Sequence, residues 1–369
     1  MKRIFIHMGP VKTGSTSIQE TFWNNSEILA QNDVAYVGGN ECDFALTSAF
    51  YKDPLKYSAN VALELTKSQI EKRDQERLSE IGELINTSNA EIILLSSEHL
   101  PFLNVAELDT LKKHFEQYGT VSIIYYIREI IDWISSDTQQ MARNGLATRS
   151  TSFATACDVI DNFPRNLVSI FGRENVHFVS FSEAIRFGLC DSILKILGVP
   201  TVKKLGIEEV RTNESLSESA ARAFFVYNKV CPSIVPFRDK NLVDKIANLP
   251  GKKYNISGLS EKEILDYQIR RDRVETLTGV SLAPDSELAV AKSPDQFAEV
   301  INEIFDREDY QVGRNYRLID LFSRERVRKR CKRAKEIALR RERLSRDDIV
   351  VFAIGGLLAH YIYLLAAST

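Results

Sequence analysis

Cysteine is scarce and carries no pattern. The five, Cys42, Cys157, Cys190, Cys231 and Cys331, are odd in number and scattered, and they form no C-x-x-C pair. That argues against a zinc ribbon and a disulfide framework, and it fits reduced thiols in a cytoplasmic setting. An excess of charge of either sign is lacking too, with 48 Lys and Arg against 50 Asp and Glu. The formal net charge is −2, so the chain as a whole is not expected to bind nucleic acid. Residues 4–6 are too short an apolar stretch for the core of a signal peptide, and none is expected. No internal repeat or low-complexity segment occurs before residue 324. Also missing is G-x-x-x-x-G-K-[ST], the phosphate loop of nucleoside-triphosphate enzymes, with Lys directly after the second Gly.

What the chain has instead lies at its start. Residues 3–8 read as a buried strand. Gly9-Pro10-Val11-Lys12-Thr13-Gly14-Ser15-Thr16-Ser17 follows, and helix is expected from residue 15 to 29. Gly9 and Gly14 keep the phosphate-loop separation, but the Lys comes early, at Lys12. A strand, a glycine-bearing loop with a cation and a helix opened by hydroxyl residues form an anion cradle. Backbone N–H groups point outward there, and the helix dipole favours negative charge.

Further strands are expected at 34–37, 91–96, 121–127 and 175–181, with helices at 71–85, 108–118 and 130–143. Strands alternating with helices predict an α/β fold: three layers around a parallel sheet of about five strands, covered on both faces. Ligands of such sheets lie beyond the carboxyl ends of the strands. Lys12, Glu98 and Arg128 each stand just after one.

Arg128 ends an apolar strand and can meet a phosphate bidentately. Ser136 follows two turns on if the next segment is helical, with Ser135 as the alternative. Ser96-Ser97-Glu98-His99 closes the strand at 91–96. A carboxylate or imidazole there can take a proton from an attacking hydroxyl. Successive residues of a strand point to opposite sides, so one of Glu98 and His99 is expected to face the cleft, Glu98 by preference.

The segment G-P-x-K-T-G-S-T-S, together with Arg128 and Ser136, resembles the PAPS-dependent sulfotransferases (PAPS is 3′-phosphoadenosine-5′-phosphosulfate). The likeness spans roughly residues 1–290. Residues 176–183, the turn at 193–199 and Arg211-Thr212-Asn213-Glu214-Ser215-Leu216-Ser217 are similar to later segments of bacterial members. Thr138 departs from a common Tyr, while Gln139-Gln140 keeps the pattern.

The resemblance implies a P-loop-type fold and transfer of a sulfuryl group from PAPS to a hydroxyl or amine. It implies that Lys12, Thr13, Gly14, Ser15, Thr16 and Ser17 hold the 5′-phosphosulfate, and that Arg128 and Ser136 hold the 3′-phosphate. Glu98 would be the base, with His99 as competitor, and Lys12 would stabilise the leaving group. No metal is implied. A carbohydrate or glycolipid is the expected acceptor, and nucleic acid is not expected as a partner. A kinase-like nucleotide protein and an inactive membrane-bound scaffold are the other readings. Ser215 or Ser217 is expected to cap a helix, and Lys252 and Lys253 could close over the nucleotide.

Residues 324–346 carry a heavy excess of Arg and Lys and read as a charged helix; residues 347–369 read as an apolar helical extension. At about 1.5 Å per residue, the stretch 349–367 approaches the thickness of a bilayer core. A basic flank attracts anionic lipid, so the tail is expected to attach the protein to the cytoplasmic face of a membrane.

Overall fold

The computed structural model describes residues 1–39, 42–147, 150–210, 215–230, 240–256 and 261–282. The basic segment, the apolar extension and Arg211 to Glu214 of the later motif lie outside them. The chain divides into two compact units: Met1–Trp133, Phe153–Asn213 and Glu261–Glu287 in the first, and Ile134–Ser152, Glu214–Ser260 and Leu288–Thr369 in the second.

The first unit holds five strands, β1 (Lys2–His7), β2 (Val34–Tyr36), β3 (Ile92–Ser96), β4 (Gly119–Ile127) and β5 (Val176–Ser180). They form one sheet in the order β2-β3-β1-β4-β5, and every pairing is parallel. The α/β fold and strand count expected from the sequence are thus observed. Parallel strands need long crossovers, and the helices supplying them cover both faces.

Alternation along the strands separates two cores. Phe5, Ile92, Leu94, Ile124 and Tyr126 meet Ile18, Phe22, Ile193, Leu194 and Leu197 in one cluster. On the other side the helices Val105–Glu116 and Phe163–Phe171 pack against β4. The first of these opens on a capping box, in which Asn104 accepts from the N–H of Glu107 and Glu107 reaches back to the N–H of Asn104. Lys67–Thr87, longer than its apolar periodicity indicated, opens on another between Thr66 and Gln69.

The helix expected over 15–29 is two helices, Ser15–Asn24 and Ser26–Gln31. Asn25 departs from helical geometry at φ −120°, and its side chain donates to the carbonyl of Thr21. A side chain that competes for backbone groups breaks a helix where an apolar pattern would have continued it.

Gly119 opens β4 where it lies against Lys2. A Cβ there would stand 2.0 Å from the Lys2 carbonyl oxygen, a backbone atom that cannot swing away. Gly119→Ala is expected to cost about 2 kcal/mol or more by forcing apart the central strand pair, and a denaturant melt of the purified variant would read it.

In the second unit the helix Glu218–Val230 packs Ala220, Ala223, Phe224 and Tyr227 with Ala142, Leu216 and Ile246. Ser217 is its cap. The hydroxyl accepts from the N–H of Ala220 and donates to the carbonyl of Leu249. The Gln139 amide bridges the N–H of Leu216 and the carbonyl of Tyr254.

Candidate active site

The loop between β1 and the helix Ser15–Asn24 is fixed from several sides. Thr13, fully buried, donates its hydroxyl to the Pro10 carbonyl at 2.6 Å. The Trp133 indole donates to the Val11 carbonyl at 2.9 Å. The Arg128 guanidinium donates to the Lys12 carbonyl and lies over the Phe181 ring, 4.8 Å from its centre. Burial lowers the proton affinity of Arg128, against the opposing charges of Asp132 and Glu129.

Two residues of the loop turn left-handed, Gly14 at φ +77° and Lys12 at φ +73°. Gly14 does so at no steric cost; for Lys12 the conformation is strained. Gly14 stands at the cap position of the helix and brings no side chain to bond its first N–H groups. Those donors have no partner within the helix by construction. Ile18, one turn in, donates to the Gly14 carbonyl.

Beneath the loop sits His7, the last residue of β1, fully buried. Its Nδ1 lies 2.8 Å from the Ser96 hydroxyl, and its ring meets Tyr126 edge-on. Among the described residues its Nε2 has no hydrogen-bond partner, and neither has the hydroxyl of Ser15, which is also buried. A Cβ on Gly9 would stand 2.6 Å from that Nε2 and 3.0 Å from the Ser15 Oγ, so the glycine keeps open the spot both atoms border. Buried polar atoms are nearly always satisfied. An anion in the loop, drawing on backbone and hydroxyl donors, fits this cradle. Burial alone lowers the His7 imidazole to about 3, so it is neutral there at ordinary pH.

The other sheet-end residues gather nearby in the first unit. Ser96 at the end of β3 accepts at its carbonyl from the Gln19 side chain. Glu98 is half-buried. Burial pushes its carboxyl up, and the charge of Lys12 pulls it back, which places that ammonium within electrostatic reach. Burial lowers the His99 ring to about 4, and its Nδ1 lies 2.7 Å from the Tyr57 hydroxyl.

The alternation expected to separate Glu98 from His99 does not hold. β3 ends at Ser96, His99 turns to φ −95°, ψ −9°, and the side-chain ligand atoms of Glu98, His99 and Cys42 all lie within 4.8 Å of one another. Extended geometry governs orientation only inside the strand. His7, Tyr57 and Cys42 were not singled out by sequence. A His inside an otherwise apolar strand that leads into a glycine loop was the available signal for the first.

In the second unit, on the helix Ile130–Arg143, Ser135 is buried and its hydroxyl accepts from the N–H of Ile256. Ser136 is half-buried. Asp137 accepts from the Thr151 hydroxyl, and Thr138 accepts from the Thr151 N–H. Lys253 forms an antiparallel bridge with Ser217, beside the helix cap.

No known family profile matches the chain, and no curated protein sequence does. Among solved structures, a sulfotransferase from Alicyclobacillus acidocaldarius matches at 14% identity, covering 66% of this chain and 99% of that one, with a TM-score of 0.37. The sulfotransferase domain from the curacin biosynthetic pathway matches at 15% identity over 76% of this chain and 99% of its own length, also at 0.37. Both neighbours carry the name of the family the sequence resembles, but at these values the likeness carries no assignment of activity.

Proposed function

We propose that the protein is a PAPS-dependent sulfotransferase. The observation that carries the reading is the cradle: Lys12 held left-handed in a loop whose carbonyls are tied down by Arg128 and Trp133, with Glu98 inside the field of its ammonium. The buried His7 Nε2 and Ser15 hydroxyl, without hydrogen-bond partners among the described residues, support an anion at that place.

On this reading Lys12, Thr13, Gly14, Ser15, Thr16 and Ser17 hold the 5′-phosphosulfate. Arg128, with Ser136, takes the 3′-phosphate. PAPS supplies the sulfuryl group. Glu98 removes the proton of the acceptor hydroxyl as the new S–O bond forms. The old S–O bond breaks toward phosphate, and adenosine 3′,5′-bisphosphate leaves. Lys12 faces the charge that builds on the bridging oxygen, where a fixed cation stabilises most. His99 is the competing base. The acceptor we favour is a carbohydrate or glycolipid.

We also assign the protein to the cytoplasm, attached to a membrane face by the tail. Among the described residues no helix is long and apolar enough to cross a bilayer, so that attachment rests on residues 324–369.

Calorimetric titration of the full chain without metal, using adenosine 3′,5′-bisphosphate and separately ADP, tests the nucleotide. Micromolar binding of the bisphosphate, weakened about tenfold or more in Arg128→Ala, with ADP bound far less, is the expected result. Equal affinity for ADP, or binding only with Mg²⁺, would move the kinase-like reading to the front.

A further inference from the structure

We propose that Cys42, Glu98 and His99 form a binding site for a divalent transition metal of the zinc class. The three offer one sulfur, one oxygen and one nitrogen, and all three ligand atoms lie within 4.8 Å of one another. Small side-chain rotations bring such a set to the ligand spacing of a tetrahedral ion, whose bonds are about 2.0–2.3 Å. A mixed thiolate, imidazole and carboxylate set suits zinc and cobalt, and disfavours magnesium and calcium, which take oxygen alone. Three protein ligands leave a fourth position open.

The surroundings are those of a prepared site. The His99 ring is fixed by the Tyr57 hydroxyl, 2.7 Å from Nδ1. It is also packed edge-on between Phe44 and Phe102, at 4.9 and 5.0 Å between centres. A hydrogen bond from outside to one ring nitrogen is what orients ligating imidazoles. Cys42 stands beside Ser97, Sγ to Oγ 3.8 Å, and that hydroxyl lies within 3.4 Å of both Thr47 Oγ1 and the Asp43 carbonyl oxygen. Cys42 lies just ahead of the helix Phe44–Phe50, while Glu98 and His99 lie on the turn after β3. The three side chains are half-buried, which shields the ion from bulk water and still admits it.

Binding displaces the thiol proton of Cys42 and leaves the thiolate on the metal. It also engages Glu98. On the sulfotransferase reading the occupied site is therefore a brake, because the carboxylate that should take the acceptor proton becomes a ligand. The metal site itself does not depend on that reading.

Cobalt(II) is the probe, because its spectrum reports the ligands. Titrating the full chain should give one equivalent of bound ion, a thiolate-to-cobalt charge-transfer band and the strong visible bands of four-coordination, all removed by equimolar zinc. Cys42→Ser should lose the charge-transfer band. Glu98→Gln and His99→Ala should each weaken binding about tenfold or more. Cys190→Ser should change nothing, and circular dichroism controls for folding. A charge-transfer band that persists in Cys42→Ser, or no one-equivalent binding at micromolar protein, overturns the site. Bound cobalt with unaltered sulfuryl transfer would keep the site and overturn the brake. Absence of any transfer in the metal-free protein would instead count against the function, leaving the spectra to decide the site.

Discussion

Replacing Lys12 by glycine should leave the protein slightly more stable and nearly inactive. Lys12 holds φ +73°. A non-glycine residue there costs roughly 1–2 kcal/mol, and glycine almost nothing. Part of that gain is returned through the greater freedom of an unfolded glycine, so the net rise should be a few tenths to about 1 kcal/mol. On the proposed sulfotransferase reading the loss is in chemistry. Lys12 carries the only full positive charge in the stretch from Gly9 to Ser17. Removing one pre-positioned stabiliser of transition-state charge typically costs on the order of 10²- to 10³-fold in rate. Lys12→Ala separates the two effects: it should lose the rate and gain no stability, because its Cβ keeps the strain. Release of adenosine 3′,5′-bisphosphate from PAPS, with water or added sugars as acceptor, measures the first effect, and thermal denaturation the second. A Lys12→Gly protein that is more stable and equally fast would move the ammonium out of the reaction. A protein that is less stable would show that the left-handed turn is not strained.

Acid should unfold the protein early, and His7 should be a main cause. Burial lowers the folded imidazole to about 3, while an unfolded histidine titrates near 6.5. Above pH 6.5 both states are neutral and the full stability is present. As pH falls from 6.5 toward 3 only the unfolded state takes the proton, so stability drops by up to about 1.4 kcal/mol per pH unit from this group alone. The Ser96 hydroxyl lies against Nδ1 and the Tyr126 ring meets the imidazole edge-on; neither supplies a countercharge, and burial is the cause of the shift. His7→Asn keeps a polar partner for Ser96 and removes the titration. Its unfolding free energy should be flatter between pH 6.5 and 4 than that of the parent. The residual slope belongs in part to His99, whose ring is lowered to about 4. Parallel pH profiles for parent and variant would show that His7 is not the group that acid attacks.

The sheet was legible because apolar runs such as Ile92–Ser96 and the strand ending at Ile127 declare themselves. The helix Ile130–Arg143 was expected at the bounds it has, since its apolar residues recur at helical spacing. The break at Asn25 was not legible, because it depends on one side chain bonding back to Thr21. At the site, glycine spacing and strand-end position pointed to Lys12, Glu98 and Arg128. Cys42 and Tyr57 were invisible for a different reason. Each reaches His99 or Glu98 from a distant part of the chain, and no local pattern encodes that approach. Ser135 and Ser136 could not be told apart by spacing. In the structure the Ser135 hydroxyl accepts from the Ile256 N–H and Ser136 is half-buried; Ser136 stays the proposed residue, with Ser135 as the alternative.

The strand order also sets a timetable for synthesis. β1, which leads into the glycine loop at residues 9–14, lies between β3 and β4, so its second edge stays empty until Ile127 has left the ribosome. At roughly 5–20 residues per second, a strand of Ile4, Phe5 and Ile6 waits on the order of ten seconds for its last neighbour. Over that interval the apolar edge is open to strands of other nascent chains, and non-local pairing of this kind is intrinsically slow. Yield from cells should therefore respond to temperature and chaperone supply more steeply than the stability of the finished protein would suggest.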